Sequence, residues 1–446
     1  MSWFQIVRLG LVQAAIGAVV VLLTTTINRV IVVELALPAM IPGLLVALHF
    51  GVQLVLRPRL GHGSDSSGTR VPWIVGGLFV CAVSGVAVAA SIPIMARNTL
   101  LGVVLASIAS IVLGAGVSAA GTPLLALMSE RAKPHQRAGA AAITWILMIV
   151  GIIITAAVSG ALLDPFSFTR LIAIAGGIGG AGLVLALLAV VGMEQRAGAI
   201  AASQSPTSTA RSNAPDSRTS FRESLAIVWA EPAARTFASF VFLAMLAYSA
   251  QDLILEPFAG IAFGMTPGES TSLSGMHHGG VLAGMIVTAL LATRTGQLRQ
   301  WAAAGCLASA VAYVALVAAP ATGSVQYFRI VVALLGLANG VFAIGAIGSM
   351  MALSGDRHDG RAGLRLGVFG AAQALAYATG TLAGAAGVDV ARALLASPVR
   401  GYLAVFLVEA VLFAVAASLA LRSASSERAG DVIRSRSELL PAALQS

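Results

Sequence analysis

Asn28, Arg29 and Glu34 stand inside TTTINRVIVVELALP, a segment too apolar to form a water-exposed helix. Gln251, Asp252 and Glu256 interrupt a second long apolar run, SAQDLILEP. An ionised side chain at the centre of a bilayer costs roughly 2.5 to 3.5 kcal/mol even on lenient scales, so such groups turn inward and mark a pathway or a binding site. These six residues are therefore candidates to line a cavity that binds a polar ligand or gates its passage. The alternative is that Glu34 and Glu256, each close to a proline, are solvated helix ends. Asp252 and Glu256 share one helix face, where their repulsion calls for a cation, and Arg29 is the nearest candidate if the two segments meet. Arg29 and Glu34 lie about 140° apart around an α-helix, so each is expected to find its partner elsewhere.

Three histidines, His49, His277 and His278, also fall in apolar segments. His49 precedes Trp73 by the same interval that separates His277 from Trp301. A neutral imidazole in that setting supplies an axial ligand to a magnesium tetrapyrrole, relays a proton, or simply packs against a neighbouring helix. Cys81 and Cys306 lack metal-ligand spacing and are expected to be buried reduced thiols.

The elements that position these groups follow from composition. Of the 446 residues, 58% are apolar and 10% charged, and the mean hydropathy is +0.92. That excludes a water-soluble globule and specifies a polytopic membrane protein. Spans are expected at about 9–36, 41–60, 73–92, 100–128, 139–163, 171–193, 236–257, 271–293, 300–319, 326–353, 365–387 and 400–421. The opening MSWFQIVRLGLVQ lacks a small-residue cleavage site and is expected to start a retained first helix. A formal charge of +9 is dispersed over short loops without a basic aromatic stripe, so nucleic acid is not the expected partner. Apart from Arg29, Arg97, Arg170, Arg329, Arg392 and Arg400, all 27 basic residues fall in segments that become cytoplasmic when both termini are inside.

A Ser-, Thr- and Pro-rich stretch, AASQSPTSTARSNAPDSRTS, divides the chain. The expected organisation is a six-helix bundle at 1–193, a cytoplasmic linker at 194–235 and a second six-helix bundle at 236–421. The linker carries an amphipathic helix with Phe221, Leu225, Val228 and Trp229 on its apolar side, and a loose polar tail fills 422–446. The halves echo each other: Gln136-Arg137-Ala138-Gly139 answers Gly360-Arg361-Ala362-Gly363, Trp73 answers Trp301, and Asn28 answers Gln251. Such ordered matches argue for a duplicated unit, the parallel repeat of major facilitator transporters. The expected class is thus an all-α membrane protein with twelve transmembrane helices in two six-helix repeats.

The loop GHGSDSSGTR resembles the cytoplasmic loop signature of that superfamily, with Gly61, Asp65, Gly68 and Arg70 as a latch. Thr69 stands where a second basic residue is usual. The glycine runs GGIGGAG and GLANGVFAIGAIG sit mid-span with no strand before them and are expected to pack helices rather than bind a nucleotide. The spans hold no aspartate-rich cluster to carry diphosphate and magnesium and no nucleophile with its base, so no catalytic role is expected.

LVQAAIGAVVVLLTTTINRVIVVELALPAMIPG, RPRLGHGSDSSGTRVPWIVGG and QDLILEPFAGIAFGM together resemble the PucC and LhaA type proteins, the bacteriochlorophyll delivery branch of the major facilitator superfamily. The resemblance covers Arg8 to Leu421, and the first third is similar to members labelled as a chain of bacteriochlorophyll synthase. It implies a non-catalytic carrier in the bacterial inner membrane. Such a carrier binds bacteriochlorophyll and delivers it to light-harvesting or reaction-centre polypeptides, as a partner to the synthase. The residues offered as its binding site are Asn28, Arg29, Glu34, Gln251, Asp252, Glu256, His277 and His278, with either histidine as axial ligand to the pigment magnesium and no covalently held cofactor. Two other readings compete: a proton-coupled transporter of a small solute or drug that uses Asp252 or Glu256, and a scaffold that never binds pigment.

Overall fold

The computed structural model describes residues 2–66, 69–131, 137–193, 229–230, 232–295, 298–355 and 362–443. Twelve helices fill these segments. In the first half they are α1 (Trp3–Leu22, continued by wider turns at Leu23–Ile27 and Val30–Glu34), α2 (Met40–Ser66), α3 (Val71–Arg97), α4 (Thr99–Arg131), α5 (Arg137–Leu163) and α6 (Phe168–Val190). In the second they are α7 (Pro232–Phe263), α8 (Pro267–Thr295), α9 (Leu298–Thr322), α10 (Val325–Gly355), α11 (Ala362–Leu395) and α12 (Pro398–Ala443). By length and hydropathy, 11 of them are membrane spans among the described residues, and α11 lies between two of these. Large apolar side chains such as Leu100, Leu290, Val311 and Leu394 face outward, as a lipid-embedded surface requires.

Repetition is plain in the packing. In the first half α1 packs on α5 and α6, α4 on α2 and α3, and α3 on α6; α7 to α12 reproduce each of these pairings. Small residues hold corresponding seams closed. A Cβ on Gly77 of α3 would strike the Ala120 backbone of α4, and one on Gly305 of α9 would strike the Phe342 backbone of α10. The GLANGVFAIGAIG run packs α10 against α8, with Gly336 against His277 O and Gly340 against Val281 O.

The halves meet where α2 packs on α11 and α5 on α8. At the C-terminal end of α5, Asp164 accepts from Thr266 Oγ1 at 2.6 Å and from Gly268 N at 3.1 Å, at the start of α8. On α11, Asp389 accepts from Ala39 N at 3.0 Å and Met40 N at 2.7 Å, at the start of α2. Each half thus caps a helix N-terminus of the other, satisfying donors that have no partner within their own helix.

One expectation changes. Helix α12 runs on to Ala443 where a loose tail was expected after Leu421; no proline occurs before Pro441 to interrupt it. Gly68 of the loop signature and most of the linker, including Phe221, Leu225 and Val228, lie outside the described residues. So do the side chain of Asp65 and the surroundings of Gly61. Arg70 donates to Ser64 Oγ at 2.6 Å.

Candidate functional site

The first helix departs from α geometry where the chemistry starts. A run of β-branched residues crowds the turns of TTTINRVIVV, and Thr25 Oγ1 bonds back to Val21 O at 2.8 Å. Such back-bonding bends helices. Two wider π-turns result, and Leu35 N reaches Val30 O at 3.0 Å, five residues back. In a π-turn residues five apart come onto one face. Arg29 Nη1 therefore forms an ion pair with Glu34 Oε1, contrary to the α-helical expectation that they would part. Arg29 Nη2 donates to Met265 O at 2.7 Å, and its Nε is buried without a partner among the described residues. Gly260 of α7 makes the approach possible, since a Cβ there would lie 3.1 Å from Arg29 Nη2. Asn28 Nδ2 crosses to Leu253 O, so the first and seventh helices do meet.

Beside this pair sits Glu256, 2% exposed, its carboxylate oxygens within reach of hydroxyl groups but in no well-formed hydrogen bond among the described residues. Arg29 acts on it electrostatically and Thr25, Thr271 and Ser274 surround it. The Thr25 hydroxyl is spent on Val21 O, and that of Thr271 lies 3.3 Å from Thr26 Oγ1. Glu256 is thus no solvated helix end. Glu34, with its side chain 33% exposed, is the one that reaches the rim. Arg29 at 3% and Gln251 at 0% are packed away from water, so in this conformation the expected cavity is a closed polar seam between α1, α7 and α8.

A second polar centre lies deeper in the C-terminal half. Gln251 Oε1 accepts from Tyr313 Oη at 2.7 Å and Asn339 Nδ2 at 2.9 Å, while its Nε2 meets His277 Nε2 at 2.7 Å. Ser309 Oγ donates to Asn339 Oδ1 at 2.9 Å. Four helices, α7 to α10, are joined by one network. The half-buried Asp252 belongs here and not with Arg29; Tyr248, Tyr377 and the buried Glu409 of α12 feel its charge. Asn339, Tyr313, Ser309 and Glu409 were absent from the sequence candidates. Glu409 carried the same signal as Arg29, an ionisable residue inside an apolar run, and Asn339 was hidden in a glycine-rich stretch.

The adjacent histidines differ. With the amide roles fixed by the network, His277 Nε2 accepts from Gln251 Nε2 and also faces Asn339 Nδ2 at 3.3 Å. His278 Nδ1 lies 2.9 Å from Ser274 O. A carbonyl only accepts, so Nδ1 carries the proton and Nε2 keeps a lone pair. His49, the repeat counterpart of His277, also meets a glutamine, Gln53 Nε2, at 2.8 Å.

A duplicated bundle around buried polar centres is shared by many membrane proteins, and comparison narrows the group. The profile described as PUCC protein matches residues 26–427. The chain belongs to the PUCC protein family. This PUCC-family chain is 45% identical over 424 residues to the bacteriochlorophyll synthase 44.5 kDa chain of Rhodobacter capsulatus, covering 94% of this chain and 95% of that one. It is 28% identical to protein PucC of Cereibacter sphaeroides, covering 91% and 89%. Among solved structures, a bacterial homologue of the human lysosomal transporter Spinster, inward-facing and unoccupied, superposes with a TM-score of 0.70 at 15% identity over 95% of this chain and 98% of that one. The nucleoside transporter NupG, as a mutant, gives 0.69 at 12% identity over 94% and 99%. At such identities the likeness establishes the major facilitator fold of the PUCC-family chain.

Proposed function

We propose that this protein is a non-catalytic membrane carrier that binds bacteriochlorophyll and passes it to light-harvesting or reaction-centre polypeptides during their assembly. It sits in the bacterial inner membrane with both termini cytoplasmic and works beside the synthase rather than as its catalyst. The observation that carries the reading is a seam of buried polar groups with unspent hydrogen-bonding capacity among the described residues, Glu256 and Arg29 Nε, in a chain 45% identical to one named for bacteriochlorophyll synthase. Unpaired polar groups in a membrane interior are costly, and a ligand that completes them offsets that cost. A pigment with a magnesium centre and peripheral carbonyls is such a ligand. The test is the absorption spectrum of the full-length protein purified in mild detergent from a pigment-making host. A bacteriochlorophyll spectrum at a fixed pigment-to-protein ratio is expected, and colourless, monodisperse protein would overturn the reading.

A proton-coupled transporter is the second reading, favoured by the buried acids Glu256 and Glu409 in a transporter fold. Solute movement that follows a proton gradient and stops in Glu256→Gln would support it.

A further inference from the structure

Where α1 and α11 finish and α2 and α12 begin, a concavity of about 400 Å³ opens between the two halves. Ala36 and Pro38 line it from the first half, and Asp389, Arg392, Ala396 and Ser397 from the second. That volume falls within the roughly 300 to 1,000 Å³ of small-molecule sites. Its walls carry opposite charges. On the negative side, Ala36 and Ala396 each follow a helix end in left-handed conformation, with φ of 51° and 48°, so two helix C-termini turn their last carbonyls here. Asp389 adds a carboxylate that accepts from Ala39 N and Met40 N, which leaves about two of its roughly four acceptor positions for another donor. On the positive side stand the start of α12 and Arg392, whose guanidinium lies 3.7 Å from Asp389 Oδ1. That is too far for a hydrogen bond, and Arg392 makes none elsewhere among the described residues. Gly401 lets the first turn of α12 close on the Arg392 stem, since a Cβ there would strike Arg392 Cγ. Ser397 Oγ accepts from Arg400 N at 3.4 Å and keeps its own proton to donate. Behind them the hydroxyl of the fully buried Tyr402 lies in the field of Arg392 and Asp389 and has no partner among the described residues.

The geometry points to a headgroup site for a membrane phospholipid that carries both a phosphate and a primary ammonium. The phosphate takes the free donors of Arg392 and Ser397 at the positive end of α12, and guanidinium is well suited to phosphate oxygens. The ammonium donates to Asp389 and to the carbonyls at the ends of α1 and α11. Val390 and Leu394, neighbours of the lining residues on α11, are 59% and 79% exposed and offer an apolar surface for the acyl chains. Because residues of both halves line the site, a bound headgroup ties one half to the other. It shares no residue with the seam of Arg29 and Glu256 and stands whatever that seam binds.

The experiment uses the full chain in detergent, stripped of lipid and titrated with phosphatidylethanolamine, phosphatidylcholine and phosphatidylglycerol, with retained lipid counted by native mass spectrometry. Phosphatidylglycerol lacks the ammonium, and the nitrogen of phosphatidylcholine has no proton to donate. Wild-type protein is expected to retain phosphatidylethanolamine about tenfold better than either, the effect of one charge-assisted hydrogen bond. Arg392→Gln is expected to lose about tenfold in that retention, while Arg400→Gln, an exposed change outside the pocket, leaves it unchanged. Equal retention of the three lipids by the wild type would overturn the assignment without recourse to any variant. An unaltered preference in monodisperse Arg392→Gln would overturn it too, as would an equal loss in Arg400→Gln. Displacement of the lipid by soluble glycerophosphoethanolamine at equal concentration would assign the site to a free phosphate compound and overturn the membrane source.

Discussion

Asp164, just past the end of α5, caps α8, and Asp389, near the end of α11 and 225 positions later in the chain, caps α2 in the same way. Inside the two bundles the likeness stops. In the first half, His49, Gln53 and Arg57 form a ladder along one helix, with Arg57 Nη2 donating to Gln53 Oε1 at 2.6 Å. In the second, Gln251, His277, Ser309, Tyr313 and Asn339 tie four helices together. The aromatic residues among the largest fully buried side chains, Phe237, Phe240 and Tyr313 among them, all lie in the second half, while the first is filled by aliphatic side chains. A duplicated frame has kept its fastenings and diverged in its filling. The second half is built to hold a rigid polar centre, and the first supplies a cation at its edge.

The largest effect is expected from cutting the four-helix network. Gln251→Leu removes two acceptor contacts and one donor contact and strands Tyr313, Asn339 and His277 in an apolar interior. Interhelical hydrogen bonds in membranes average about 0.6 kcal/mol, and stranded buried groups add to that, so a loss of about 2 to 3 kcal/mol is expected. Gln53→Leu, which cuts contacts within the single helix α2, is expected to lose about 1 kcal/mol. Reversible unfolding in mixed micelles measures both. Equal losses would break the contrast between the two centres.

Much of this architecture was legible because the bilayer makes few residue types innocent. The spans, the duplication and the burial of Asn28, Arg29, Gln251 and Glu256 follow from the cost of polar groups in lipid. What stayed hidden depended on backbone detail or on partners distant in the chain. The Arg29–Glu34 pair needs a π-turn that α-helical arithmetic does not contain. Asp164 and Asp389 stand at span ends, where an acid is unremarkable until the helix N-terminus opposite it is known; their common offset with the other repeats was the only trace. Asn339 looked like part of a packing run because its neighbours are.

An intermediate effect is expected at the edge of the seam. Glu34→Gln leaves the Arg29 guanidinium 3% exposed, with Met265 O as its remaining acceptor and Glu256 as the nearest acid. Breaking a buried pair from one side costs more than removing both members. Glu34→Gln should therefore lose about 1 to 2 kcal/mol, and the double change Arg29→Gln with Glu34→Gln should recover part of it. The same unfolding assay, run as a double-mutant cycle, reads the coupling. A cycle that closes additively would mean that Arg29 is held by Met265 O and not by the ion pair.

The smallest effects test the likeness rather than the difference. Asp164→Asn keeps an acceptor oxygen for the start of α8 but removes the charge that favours a helix N-terminus, a change of about 0.3 to 1 kcal/mol. Asp389→Asn does the same at the start of α2 and also gives up Arg392, whose guanidinium lies 3.7 Å away. A partly exposed pair at that distance adds little, so the two losses should match within about 0.5 kcal/mol and add in the double variant, because the sites share no partner. Each acid joins one half to the other, so additive and equal losses are what a duplicated fastening demands. A loss confined to one site would show that the pseudo-twofold geometry outlived its energetic symmetry, and that one seam alone holds the two halves together at this end of the bundle.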